Sequence, residues 1–248
     1  MPPARPTIDP RWADLIAAGQ IRFAVFPPQY GKDADGALIG PWIEVMRALA
    51  IHVGVPATFA ELANPDRLVE SLAAGSCDVG SLGFDPARTA GVGGFSPSFM
   101  QVEYSYLVPA DSAIRTITDA DQPAIRIATV RQHASTLTLV RMLKHATLVD
   151  ADGPDEAFEL LRAGRVDAWA SIRPALVDHG RRLPGARVLA ESYGANRPAL
   201  VVPKGHAARL AAIGEFIAEA KASGLLRRII ERVGQPGTQP AVPFGTHD

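Results

Sequence analysis

Ser81, Gly83 and Arg88 close the stretch AAGSCDVGSLGFDPAR (Ala73–Arg88) in an order that suits ligand chemistry. The stretch begins like the end of a helix, passes through a short apolar strand and then loses its large side chains. Small residues at a strand end let backbone amides approach a ligand, and a lone arginine follows just past Pro86. The same phrase recurs as LRAGRVDAWASIRP (Leu161–Pro174). In both copies a helical run closes on Ala-Gly, a Gly-x-x-Asp step follows, and a short apolar segment leads to a proline. Gly75 and Asp78 of the first copy correspond to Gly164 and Asp167 of the second, so Gly83 and Ile172 fall at matching strand ends.

The rest of the chain must position those ends. Its 248 residues suffice for one large domain or two lobes of roughly 100 residues each. Hydrophobic residues make up 47% and charged residues 21%, which is enough apolar matter for a real core. A formal net charge of −1 argues against nucleic acid as the main partner, since phosphate neutralisation needs a basic surface. No apolar run reaches the roughly 18 residues of a membrane span. Cys77 is the single cysteine, which excludes an intramolecular disulfide, and its apolar setting reads as a small buried hydrophobe. No histidine spacing suits a metal, and neither a phosphate loop nor a nucleophile–base pair is visible, so no cofactor is expected.

Short apolar runs alternate with helical patterns. IRFAVF (Ile21–Phe26) reads as a strand, and Trp42–Val53 has helical spacing that stops at Gly54. ATFAEL (Ala57–Leu62) is a second strand, after which Asn64, Pro65 and Asp66 form a helix start. The alternation restarts at IRIATV (Ile125–Val130), continues through ATLVDA and a helix near Asp155–Ala163, and leads into the second copy of the phrase. Two such units predict two α/β lobes, each with a largely parallel sheet. A third strand-like run, ALVVPKG (Ala199–Gly205), precedes one long amphipathic helix, which is expected to return to the first lobe.

This pattern predicts two crossings between lobes, near Tyr106–Ser112 and Gly194–Val202, forming a hinge around a cleft. The expected division is 1–108 plus 200–248 for the first lobe and 109–199 for the second. The Pro/Gly-rich segment 235–248 reads as a flexible tail. The N-terminus lacks the apolar core and cleavage site of a leader. The expected location is therefore the periplasm if a leader has been removed, and the cytoplasm otherwise.

The order of IRFAVF, Gly36 and Gly40 before a helix, LAAGSCDVGSLGFDPAR, FSPSF, YLVPADS, VRQHAS, AGRVDA and a final VPKG resembles the bacterial extracellular solute-binding proteins of family 3, the polar amino acid receptors of ABC importers. The resemblance covers about residues 18 to 234. It implies a two-lobed periplasmic-binding-protein-like (type II) α/β fold, a monomer, a small carboxylate-bearing ligand and a membrane permease as partner. It assigns Arg88 as the carboxylate clamp, with Ser81 and the Gly83 backbone beside it. A guanidinium fork matches a carboxylate and stays charged at any relevant pH. The second-lobe loop Gln132-His133-Ala134-Ser135 completes the site with amides at a helix start, where an anion is favoured. His133, in place of a hydroxyl residue, could donate to the ligand or tune the site by pH. Tyr30 matches the aromatic that covers the ligand in many relatives.

One position departs from the family. Relatives that bind amino acids end D-A-x-x-x-D with an aspartate that holds the α-ammonium, whereas Asp167-Ala168-Trp169-Ala170-Ser171-Ile172 ends in isoleucine. An apolar group cannot offset the desolvation of an ammonium. The sequence thus keeps the carboxylate anchor and drops the amine anchor, with Glu103 as the nearby acid that could substitute. A cyclohexadienyl dehydratase-like enzyme on the same fold and a leaderless cytoplasmic binding or sensor protein are the alternative readings.

Overall fold

The computed structural model describes residues 9–84 and 86–241, without the side chains of Pro86, Ala87 and Arg88. After a short helix α1 (Ala13–Ala18), the first lobe builds β1 (Ile21–Val25), a small hairpin of β2 (Gly31–Lys32) and β3 (Leu38–Ile39), α2 (Pro41–Val53), β4 (Ala57–Glu61), α3 (Pro65–Ala73) and β5 (Val79–Gly83). The chain then crosses to β6 (Met100–Val108). The second lobe adds β7 (Arg126–Val130), α4 (Ala134–Met142), β8 (Thr147–Ala151), α5 (Pro154–Arg162), β9 (Ala168–Ile172), α6 (Arg173–Gly180), β10 (Arg187–Val188) and β11 (Gly194–Asn196). It returns through β12 (Pro198–Val201) to α7 (Ala207–Ala222) and α8 (Leu225–Val233), and ends in β13 (Thr238–Pro240).

The two sheets repeat one design. In the first lobe the order is β12-β5-β1-β4; in the second, β6-β9-β7-β8 follows β10. In each, two parallel pairs flank the first strand of the unit, and the return strand (β12 or β6) runs antiparallel. Gly75 (φ 69°) and Gly164 (φ 66°) both adopt the left-handed conformation that ends the preceding helix, where glycine carries no Cβ penalty.

The repeated aspartates fasten these units. Asp78 accepts from the Arg22 backbone at 2.9 Å and from its guanidinium at 2.8 and 3.0 Å. Asp167 accepts from the Arg126 backbone at 2.8 Å and from its guanidinium at 3.1 Å. The return bonds, Asp78 N to Arg22 O and Asp167 N to Arg126 O, are each 2.8 Å. The aspartate of the Gly-x-x-Asp phrase is therefore a latch between the first strand of each unit and the strand that reaches the cleft.

The crossings differ from the sequence expectation. Phe95 bridges Val201, Ser96 N donates to Leu200 O, and Phe99 N donates to Pro198 O, so the outward crossing lies at about residues 96–99. Tyr106, expected at the hinge, is buried inside the second sheet opposite Ala170. The apolar run before Pro109 marks the end of a nine-residue strand, and that whole strand belongs beyond the hinge. The second lobe accordingly begins near residue 100 rather than 109. The return crossing at Arg197, between β11 and β12, falls inside the expected Gly194–Val202.

The C-terminal region also departs. The single long helix expected there breaks at Gly224 (φ 71°) into α7 and α8, both packed on α2 of the first lobe. Within the segment expected to be a flexible tail, β13 pairs with Met100–Val102 of β6, and Glu103 N donates to Gly237 O at 2.9 Å. Backbone pairing with an open strand edge orders this segment despite its proline and glycine content. Residues 242–248 lie outside the described ones.

Candidate functional site

β5 and β9 run toward each other from the two sheets, and their last residues, Gly83 and Ile172, line one cavity between the lobes. The first lobe contributes Phe26, Pro28, Gln29 and Trp42 as well as Gly83. The second contributes Tyr104, His133, Ala134, Ser135 and Ser171 beside Ile172, and Asn196 enters from the hinge strand β11. The volume is about 30 Å³, room for about two waters. The lobes therefore meet around a small space lined by apolar and polar side chains together, and a larger guest requires them to part.

Three helices begin at this wall. Trp42 lies in the first turn of α2 behind Gly40, His133 is the N-terminal cap residue of α4, and Ile172 is that of α6. None of the three starts carries a side-chain capping bond. Helix starts without side-chain caps, and with them the positive ends of three helix dipoles, thus lie at the cavity wall from both lobes. Just before α4, Gln132 adopts φ 60°, a left-handed conformation that costs a non-glycine residue about 1–2 kcal/mol. That turn swings the α4 start toward the first lobe, where the His133 ring meets Phe26 at 5.5 Å between centroids.

The wall is braced from behind. The Gln29 side chain donates to Ser81 O at 2.8 Å and accepts from Phe26 N at 3.3 Å, tying the loop after β1 to β5. In the second lobe Tyr193 stacks between Tyr104 and Tyr106, at centroid distances of 5.5 and 4.9 Å. Burial there pushes the Tyr193 phenol well above its ordinary range, so the stack stays uncharged.

Of the residues singled out in the sequence, Gly83, His133, Ser135 and Ile172 meet at the cavity. Ser81 is fully buried one step back on β5, and its hydroxyl has no hydrogen-bond partner among the described residues. Tyr30 lines a separate, wider groove with Lys32, Glu44 and Asp178. Burial, and then a hydrogen bond to Glu61, push its phenol up to about 12. Glu103 stays away from the cavity. Alternation along β6 turns it opposite to Tyr104, and its carboxylate is held by Arg173 Nε at 2.6 Å. Arg88 belongs to the turn Pro86–Gly91 directly after β5, and its side chain lies outside the described residues.

Trp42, Phe26, Gln29 and Asn196 were missed. Trp42 and Phe26 read as ordinary core positions in their helical and strand patterns. Asn196 carried a weak signal, a polar residue in an apolar crossing segment. Among the described lining residues there is no Asp, Glu, Lys or Arg.

The family model for bacterial extracellular solute-binding proteins, family 3, matches residues 22–235. No curated protein sequence matches the chain. Among solved structures, a solute receptor for L-cysteine of Neisseria gonorrhoeae superimposes with a TM-score of 0.79 at 24% identity, covering 91% of this chain and 94% of that one. A mutant of ArgBP from T. maritima gives 0.78 at 20% identity, covering 90% and 99%. The ancestral amino acid-binding protein AncCDT-1, a precursor of cyclohexadienyl dehydratase, gives 0.75 at 22% identity, covering 89% and 97%. At these identities the likeness establishes the two-lobed fold.

Proposed function

The chain belongs to the bacterial extracellular solute-binding proteins, family 3, and on that premise we propose that it captures a small carboxylate without a free α-ammonium and delivers it to an ABC importer. One observation carries this reading: three uncapped helix starts face a cavity whose described lining holds no acidic side chain. Converging amides and dipole ends favour an anion. An ammonium enclosed there has no counter-charge, and leaving it unpaired costs several kcal/mol. Arg88, five positions beyond Gly83 in the chain, is the residue proposed to pair with the carboxylate. Delivery to an importer implies export of the protein across the cytoplasmic membrane. The gonococcal structure is that of a receptor for an amino acid, which supports a ligand of similar size.

A thermal-shift panel of short carboxylic acids and the matching amino acids tests the reading. A ligand at one hundred times its Kd adds about 2.7 kcal/mol, several degrees in Tm for a chain of this size. Stabilisation by deaminated acids and not by their amino acids is expected. Submicromolar binding of an ordinary α-amino acid overturns it.

A further inference from the structure

Trp42 and Asn196 both line the cavity, and each holds one buried polar side-chain atom without a partner among the described residues. Trp42, 1% exposed, holds an indole Nε1–H with no acceptor among the described residues. Asn196 holds a buried Oδ1 with no donor. This oxygen stands 2.3 Å from the point where a Gly83 β-carbon would sit, against the cavity wall. A buried polar atom left unmade costs about 1–3 kcal/mol, so two of opposite sense in one small space call for a guest that serves both. The wall near Ile172 offers neither atom a partner.

A ketone oxygen only accepts, so it satisfies the indole and leaves Asn196 unmade. A methylene satisfies neither. An ammonium only donates, and it brings an uncompensated charge. A hydroxyl both donates and accepts, which matches the pair.

We propose that the cavity takes a short 2-hydroxy carboxylate, whose hydroxyl accepts from Trp42 Nε1 and donates to Asn196 Oδ1. This deepens the carboxylate reading above and rests on it. Because Trp42 stands on the first lobe and Asn196 on the hinge strand, the same hydroxyl bridges the surfaces that meet on closure. Discrimination among acids and closure of the cleft then share one pair of hydrogen bonds.

Calorimetry with L-lactate, D-lactate, pyruvate, propionate and L-alanine tests this on the wild type, Trp42→Phe and Asn196→Ala. Trp42→Phe keeps an aromatic ring in the core but removes the donor together with part of the ring volume, so affinities are compared between acids within the variant. One well-placed hydrogen bond corresponds to roughly tenfold in affinity. One lactate enantiomer is expected to bind at least about tenfold more tightly than propionate and pyruvate. Each variant should cut that lactate-to-propionate advantage to about threefold or less, the ratio within each variant being the readout. Equal binding of lactate and propionate, or an advantage that survives both substitutions, overturns the hydroxyl inference and leaves the carboxylate reading standing. Failure of every acid in the series, or preference for L-alanine, overturns both.

Discussion

A β-carbon built on Gly83 of β5 stands 2.7 Å from the Ala134 methyl of α4 and 2.3 Å from Asn196 Oδ1. Both distances lie inside van der Waals contact, so the two lobes and the hinge strand meet at a point only a glycine can occupy. Gly83→Ala is expected to prop the lobes apart, because no flexible side-chain end is available to yield at Ala134. A ligand stabilises the closed form only by its greater affinity for it, so affinity for the tightest acid of the panel should fall by about tenfold or more, and small-angle scattering should give a larger radius of gyration at saturation. Unchanged affinity and an unchanged profile contradict this account.

Arg88→Ala tests the carboxylate clamp. Removing one partner of an enclosed charge pair costs roughly 2–5 kcal/mol, about thirtyfold or more in affinity. Arg88→Lys keeps the charge and loses the planar fork, so recovery should be partial. Calorimetry placing Arg88→Ala within about threefold of wild type removes Arg88 from the site.

Ile172→Asp is expected to admit amino acids. Ile172 is the uncapped start of α6, so an aspartate there gains a capping role, worth about 1 kcal/mol, and the variant should fold. Its carboxylate lies in the cavity wall, where it supplies the missing counter-charge to an ammonium. L-Alanine should gain about tenfold or more on the variant while propionate weakens. An unimproved L-alanine affinity shows that the amine is excluded for another reason.

The repeated latch makes a prediction about acid. Burial alone raises the Asp78 carboxyl, but the Arg22 hydrogen bonds and charge prevail and hold it below its ordinary value of 3.8. Asp167 is likewise lowered, chiefly by its bond from the Arg126 side chain. A carboxyl depressed in the folded state stabilises above its unfolded pKa, and that stabilisation is lost as pH falls through the folded value. Asp78→Asn should cost about 1–3 kcal/mol at neutral pH and flatten the fall in Tm below pH ~4. Asp167→Asn should cost less, since its ion pair is more exposed. Equal steepness of the acid limb in wild type and both variants contradicts the latch.

The sequence by itself determined the features that depend on neighbours along the chain. The alternation of strand and helix, the two Ala-Gly endings with left-handed glycines, the Gly-x-x-Asp repeat and the matching ends at Gly83 and Ile172 all follow from local patterns. The absence of an acid at Ile172 is visible only against the pattern of the family the sequence resembles. The sheet a strand joins is not local: β6 reads the same on either side of the hinge, and its pairing with β9 puts it in the second lobe. β13 was illegible for a related reason, because its order comes from an open edge of β6 contributed by residues far away in the chain. The site divides the same way. Gly83 and Ile172 announce themselves by their place at matching strand ends, and His133 and Ser135 by the resemblance of their loop to the family's, whereas Trp42 and Asn196 become wall residues only when two lobes close against each other. Their unused polar atoms exist as a pair only in that closed space, and only the tertiary structure brings them there.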